Sequence, residues 1–331
     1  MKKTLFILLA TLGFISCSTS DDPTNETTTT PKEYVISLGF SGEITSIEDT
    51  PLTKAVSNNL YGIQVYLMPT NGTEYQPYAY GLFDDISNIT IKLLEGYKYK
   101  FACTMVTDGK SKIAHSSNDG YDFPFLLFGE HGSGPTLIIE NKLISSKYEI
   151  SSIDNGSSGL AVDREVYNRP NIDRYYGAIA DYIPVENSSV SIDMKRVSFG
   201  VKIIADGLTE GSLNISLDKA PSMTITYPNT SVQDIFTFSN TYPYGMTWTQ
   251  DGYTEKVSMT ISWTKADGAV VPLVTQDITF TRNKLTTITV KVKDNSINNG
   301  VDISQESASM GDGGSVTIDT SNSDDTTVTP G

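Results

Sequence analysis

The chain has 331 residues, 39 of them acidic and 24 basic, with two histidines, two cysteines and a formal net charge of −15. That balance disfavours nucleic acid and anionic phospholipid surfaces as partners, because both are held by clustered Lys and Arg. Two imidazoles, His115 and His131, offer neither the ligand spacing of a zinc site nor the paired base of a nucleophilic triad.

The chain opens with Lys2 and Lys3, followed over residues 5–16 by a run that is apolar apart from Thr11 and Ser16. This is the pattern of a bacterial signal peptide, too short to cross a bilayer. Phe14-Ile15-Ser16-Cys17 is similar to a lipobox, which makes residues 1–16 a lipoprotein signal and Cys17 the acylated first residue of the mature chain. Loss of Lys2 and Lys3 takes the 24 bases to 22 and the net charge from −15 to −17. Stable attachment needs more than one acyl chain, so palmitate and its companions on Cys17 imply a membrane-tethered body. Cys103 is then the one remaining thiol, and no intrachain disulfide can form. Residues 17–33 carry Asp21, Asp22 and a threonine-rich stretch with almost nothing apolar, as expected of a flexible tether.

From there the hydrophobic period is two. Tyr34, Ile36, Leu38 and Phe40 face one way over residues 34–44, and Tyr61, Ile63, Val65 and Leu67 do so over residues 60–68. The connection between them holds Glu48, Asp49, Pro51 and the Lys54-Ala55 bond, and reads as an exposed loop. Residues 89–93 and 97–105 are expected to form a hairpin about Glu95-Gly96, with Cys103 inward as a core residue. Between residues 113 and 183 the pattern weakens into short strands, long loops and a helical turn. Alternation returns at Val190, Ile192 and Met194 and continues in strands about ten residues apart to Val292, the spacing of a β-sandwich. A boundary at Asn187-Ser188-Ser189 gives an N-terminal sandwich, residues 34–188, and a C-terminal one, residues 189–294. The last stretch, residues 295–331, has no Lys or Arg and reads either as an acidic tail or as an assembly strand built on Val301-Asp302-Ile303 or Val316-Thr317-Ile318.

No catalytic constellation emerges, and the expectation is a protein that is not an enzyme and needs no metal or cofactor. Asp84-Asp85 reads as a turn, and the Asp-rich residues 312–325 lack the regular spacing of a calcium loop. Trp263 falls in phase with Val257, Met259 and Ile261, hence in the core. Trp248, in a turn-rich stretch, is the better candidate for stacking on a ligand, with Tyr75, Tyr78 and Tyr80 behind it.

Several stretches together resemble the fimbrillin-like lipoproteins of Bacteroides and Porphyromonas, the subunits of type V pili. They are the lipobox with its acidic tether, Tyr34-Val35-Ile36-Ser37-Leu38-Gly39-Phe40, Pro51-Leu52-Thr53-Lys54-Ala55, Asp173-Arg174-Tyr175-Tyr176-Gly177, Lys195-Arg196-Val197 and Thr281-Arg282-Asn283-Lys284-Leu285. Acidic residues close behind the acylated cysteine are also similar to the signal that sends such lipoproteins to the outer face of the outer membrane. The resemblance implies an all-β chain of two tandem transthyretin-like Greek-key sandwiches, exposed at the cell surface as part of an adhesive fimbrium. It implies cleavage after Lys54, loss of the first strand, and filling of the groove under Tyr34, Ile36, Leu38 and Phe40 by a strand from another subunit of a homo- or heteropolymer. Burying four such side chains contributes about 1.5–3 kcal/mol each, so the open groove is costly. The alternative is a surface lipoprotein that binds glycan or protein without polymerising. In either case the membrane is met only through the lipid.

Overall fold

The computed structural model describes residues 31–44, 58–115, 120–129, 132–151, 153–154, 167–239, 248–292 and 302–310. The described residues from Lys32 onward cluster as one compact unit. Its elements in chain order begin with β1 Glu33–Gly42, β2 Leu60–Pro69, β3 Gln76–Phe83, β4 Ile89–Leu94, β5 Tyr97–Val106 and the single helical turn α1 Gly109–Lys112. There follow β6 Tyr121–Gly129, β7 Gly132–Leu137, β8 Ile144–Ser145, β9 Glu149–Ile150, β10 Arg174–Tyr182 and β11 Ser189–Arg196. The remainder comprises β12 Ser198–Asp206, β13 Ser212–Leu217, β14 Met223–Thr226, β15 Ser231–Thr237, β16 Thr254–Thr264, β17 Val270–Thr281, β18 Lys284–Lys291 and β19 Asp302–Ser309. The chain is thus nearly all β, as its period-two pattern demands.

The first half is one sheet in the order β4-β1-β11-β10-β5-β2-β3-β8. The link between β11 and β10 is only two residue pairs, Tyr175 with Arg196 and Tyr176 with Lys195. Beyond it the sheet doubles back on itself. Ile36 and Leu38 of β1, Ile89, Ile91 and Leu93 of β4, and Val190, Ile192 and Met194 of β11 share a core with Ile63 and Val65 of β2 and Phe101, Cys103 and Met105 of β5. The opposite face of β2 and β5 is covered by the small sheet β7-β6-β9, whose Phe125, Leu127, Leu137 and Ile150 pack on Leu60, Ala102 and Val106. The second half pairs β15-β12-β18-β19 with β14-β13-β16-β17 around a core that runs from Val197 to Val292.

The two halves have the same connectivity. In each, the first strand lies between the fourth and the last, antiparallel to the former and parallel to the latter: β1 with β4 and β11, β12 with β15 and β18. In each, the other layer runs third, second, fifth, sixth. The strands β6 to β9 are an insertion in the first half, and β19 is an addition to the second.

Two expectations need correction. The residues expected to open the second sandwich, 189–196, are β11 and complete the first, because Val190, Ile192 and Met194 face its core; the change of core falls at Val197. Asn187, with φ of 57°, lies in the β10–β11 connection instead of between domains. Nor do β4 and β5 form a hairpin. The Glu95-Gly96 turn, with Gly96 at φ 90°, carries the chain from one layer to the other, so that the apolar faces of β4 and β5 meet across the core. The buried Tyr99 hydroxyl fastens this arch, accepting from Leu94 N at 2.7 Å and lying 3.2 Å from Leu94 O.

Burial pushes the Tyr99 phenol up to about 12. An acid whose folded pKa is raised ionises first in the unfolded chain, so folding stability falls as pH climbs from about 10 to about 12. Tyr99→Phe is expected to lose about 1 kcal/mol at neutral pH and to show a shallower decline across that alkaline window, measured by urea denaturation at several pH values.

Candidate assembly site

The strand β1 is held on both edges. Six residue pairs join it to β4, from Glu33 with Leu94 to Leu38 with Ile89, and six join it to β11, from Ser37 with Ser189 to Gly42 with Met194. Of the four side chains expected to plug the core, Ile36 and Leu38 are buried, while Tyr34 and Phe40 are half-buried and pack against its rim. The Phe40 ring lies 5.7 Å from Tyr61 across the sandwich. At its start the strand is held by its ladder with β4 and by Glu95 N donating to Lys32 O at 2.8 Å, while its ion pairs, Lys32 with Glu186 at 3.1 Å and Glu33 with Lys92 at 3.4 Å, are exposed and contribute little in water. Its counterpart β12 buries Phe199, Val201, Ile203 and Ala205. The leading strand is therefore the more weakly anchored of the two equivalent strands.

The end of β1 is a different environment. Gly42 has φ of 84°, and a Cβ there would meet Asp193 Oδ1 at 2.0 Å and Met194 O at 2.8 Å, so only glycine lets the chain pass. The next residue, Glu43, donates its N–H to Met194 O at 2.9 Å and aims its carboxylate between the two halves. That carboxylate accepts from Arg282 Nη1 at 2.8 and 3.1 Å and from the backbone N–H of Arg196 at 2.7 Å. Arg282 also donates from Nη1 to Arg196 O, from Nε to Gln250 O and from Nη2 to Asp251.

Around it lie further buried charges. Arg196 makes a bidentate pair with Asp173, 2.8 Å from Nε to Oδ1 and 2.6 Å from Nη2 to Oδ2. Burial by itself would lower the Arg196 pKa, but Asp173 more than offsets it and holds the guanidinium above its ordinary range. Arg169 pairs with Glu255 at 2.8 Å, and Glu255 takes a further 2.7 Å bond from Tyr253 Oη. These groups strap the segment leading into β10, and the ends of β1 and β11, to the second half. Sequence reasoning assigned them no role. The signal was present all the same: lone arginines at the ends of strongly apolar strands are rarely placed there without a partner.

The other strand end of interest is β19, which lies antiparallel to β18 along its whole length, from Asp302 with Lys291 to Ser309 with Lys284. Val301 and residues 311–331 lie outside the described residues, as do Cys17, Lys54, Ala55 and His131.

The remaining candidates fall into the body of the protein. Trp248 is buried, 5.8 Å from Tyr176 and with the Arg174 guanidinium 4.9 Å from its ring, so the indole expected to present itself for stacking instead wedges the halves together. A cleft of about 480 Å³ lies beside it, lined by Asp154, Tyr176, Asp193, Lys195 and Thr249. Tyr78 and Tyr80 belong to β3, and the Tyr75 hydroxyl bonds to Asp181. Trp263 is in the core, as its phase implied, and burial pushes the Cys103 thiol up, away from nucleophilic chemistry. His115 lies against the Tyr121 ring at 5.2 Å. Asp85 caps its turn through Ser87 N at 3.0 Å, and hydrogen bonds from Lys110 and Asn141 hold Asp84 below the usual carboxylate range against the opposing effect of burial. Among the described residues no group of three His, Cys, Asp or Glu could hold a metal ion, and no helix is long and apolar enough to cross a membrane.

Ile36→Ala is expected to lower stability by about 2–5 kcal/mol, the cost of a core cavity, whereas Val35→Ala on the exposed face of the same strand stays within about 0.5 kcal/mol. Chemical denaturation of the two variants checks this; equal effects would mean that β1 does not fill a core.

No protein-family model matches the sequence, and no curated protein matches it. Among solved structures, the tip fimbrial protein Mfa3 of Porphyromonas gingivalis is 8% identical, with 84% of this chain and 100% of that one covered at a TM-score of 0.37. The fimbrial anchor protein Mfa2 of the same organism is also 8% identical, covering 85% and 98% at a TM-score of 0.36. A Bacteroides uniformis protein provisionally assigned to cell adhesion is 8% identical, covering 84% and 99% at a TM-score of 0.35. At these levels of similarity, what the chain does has to be read from its own geometry.

Proposed function

We propose that this chain is a structural, non-enzymatic subunit of a cell-surface fimbrium that supports adhesion. It is exported as an outer-membrane lipoprotein through acylated Cys17 and assembled by strand exchange after cleavage between Lys54 and Ala55. The observation that carries the reading is the position of β1: a strand near the start of the folded body, paired on both edges, whose Ile36 and Leu38 fill the core. Its loss leaves the edges of β4 and β11 unpaired and an apolar slot between them, a surface that another chain's extended strand is suited to fill. The repeated strand order of the two halves supports their reading as tandem transthyretin-like sandwiches. The eight-residue pairing of β19 supports residues 295–331 as the source of an assembly strand. Partners on this reading are other pilus subunits, of the same or a different chain.

Trypsin treatment of the full chain is expected to give a new N-terminus at Ala55 and a ladder of oligomers on a gel. Lys54→Ala should remain uncut there and monomeric. Equal oligomerisation of that variant would remove cleavage as the trigger, and retention on polysaccharide without any ladder would favour a binding lipoprotein that does not polymerise.

A further inference from the structure

The contacts of Glu43 reach beyond the strand it follows. Arg282 and Asn283 form the turn from β17 into β18, with Asn283 in the left-handed region at φ 55°. One side of this turn is held by the first half of the chain: Glu43 grips Arg282, and the Arg196 guanidinium approaches Asn283 Oδ1 at 3.5 Å. The other side holds the end of the C-terminal strand, because Met310 donates its N–H to Asn283 O at 3.3 Å, immediately after Ser309 pairs with Lys284. The path from the end of β1 to the end of β19 thus passes through one residue pair, Glu43 with Arg282, and one turn.

We propose that Glu43 is a latch that couples the leading strand to the docking of β19. While β1 is in place, its carboxylate fixes Arg282 and so the turn on which β19 ends. When the segment bearing Glu43 leaves, Arg282, nearly buried, keeps Asp251 as its one carboxylate partner among the described residues, and the Asp251 side chain is 88% exposed. A buried guanidinium that loses its buried carboxylate and keeps an exposed one and two carbonyls is less well compensated, which favours a turn that moves toward water. Rearrangement of the turn withdraws the Asn283 carbonyl from Met310 and frees the end of β19 from β18. Departure of one strand thereby prepares the release of the other, and an intact chain keeps its C-terminal strand to itself. The proposal rests on the reading in which β1 is removable, but the coupling is a property of the uncut chain and is testable there.

The experiment is hydrogen exchange read by mass spectrometry on the full chain in detergent. In Glu43→Ala, amides of β19 and of the first residues of β18 are expected to exchange about tenfold faster, corresponding to about 1.4 kcal/mol of local stability, with β13 and β16 unchanged. Coupling is reciprocal, so Gln305→Pro or Glu306→Pro, one of which must break a ladder bond to β18, should speed exchange at Glu43 and Ile44. Unchanged exchange in β19 of Glu43→Ala, or an equal rise in every strand, overturns the latch. Because both variants are studied uncut, a failure to cleave at Lys54 would undo the assembly reading and leave this result standing.

Discussion

The constraint that organises this molecule is the insertion of the first strand between the fourth and the last. β1 cannot be paired on both edges until β11 arrives, and Ser37 meets Ser189 only after the whole of the first half has been threaded through two layers. Closing so long a loop carries an entropic cost, so the slot is completed late and by non-local contacts. Until it is completed, the rows of Ile89, Ile91 and Leu93 and of Val190, Ile192 and Met194 have no strand between them. Among the described strands β1 comes first in the chain, yet it lies inside its layer, with β4 at the sheet edge and β11 on its other side.

The second half repeats the arrangement with a different connection into its first strand. β12 follows β11 after a single residue, Val197, and buries four apolar side chains, of which Phe199 stacks on Phe280 with ring centroids 4.5 Å apart. What varies between the halves is how the strand is connected and how deep it is buried, with the pairing scheme held constant. The described residues from Lys32 onward are tied together by three arginines, Arg169, Arg196 and Arg282, each answered by a carboxylate from elsewhere in sequence. Buried pairs of this kind add little net stability compared with apolar packing, but they punish misalignment, because any shift strands a charge out of water. They fix the relative register of elements that hydrophobic contact alone would leave free to slide.

Alternation made the strands themselves legible, and residues such as Cys103 and Trp263 could be placed in the core from phase alone, because period two is a local property of the chain. The pairing of those strands was not local. β4 and β5 are separated by two residues and look like a hairpin, yet they lie in different layers; the preference of their apolar faces for each other across the core outweighs pairing with the nearest strand. The boundary at Asn187 was misplaced for a related reason. A turn between two strands of one sandwich and a linker between two sandwiches have the same composition, and only the direction in which Val190 and Ile192 point distinguishes them.

The sequence by itself determined that the chain is nearly all β, acidic, and holds only two histidines and two cysteines, since these follow from composition and short-range periodicity. Tertiary structure decided which strands are neighbours, that Trp248 is a wedge instead of a platform, and that Glu43, Arg196 and Arg282 meet although 239 residues separate the first from the last. Those outcomes depend on distances between points far apart in the chain, and no local pattern encodes a distance.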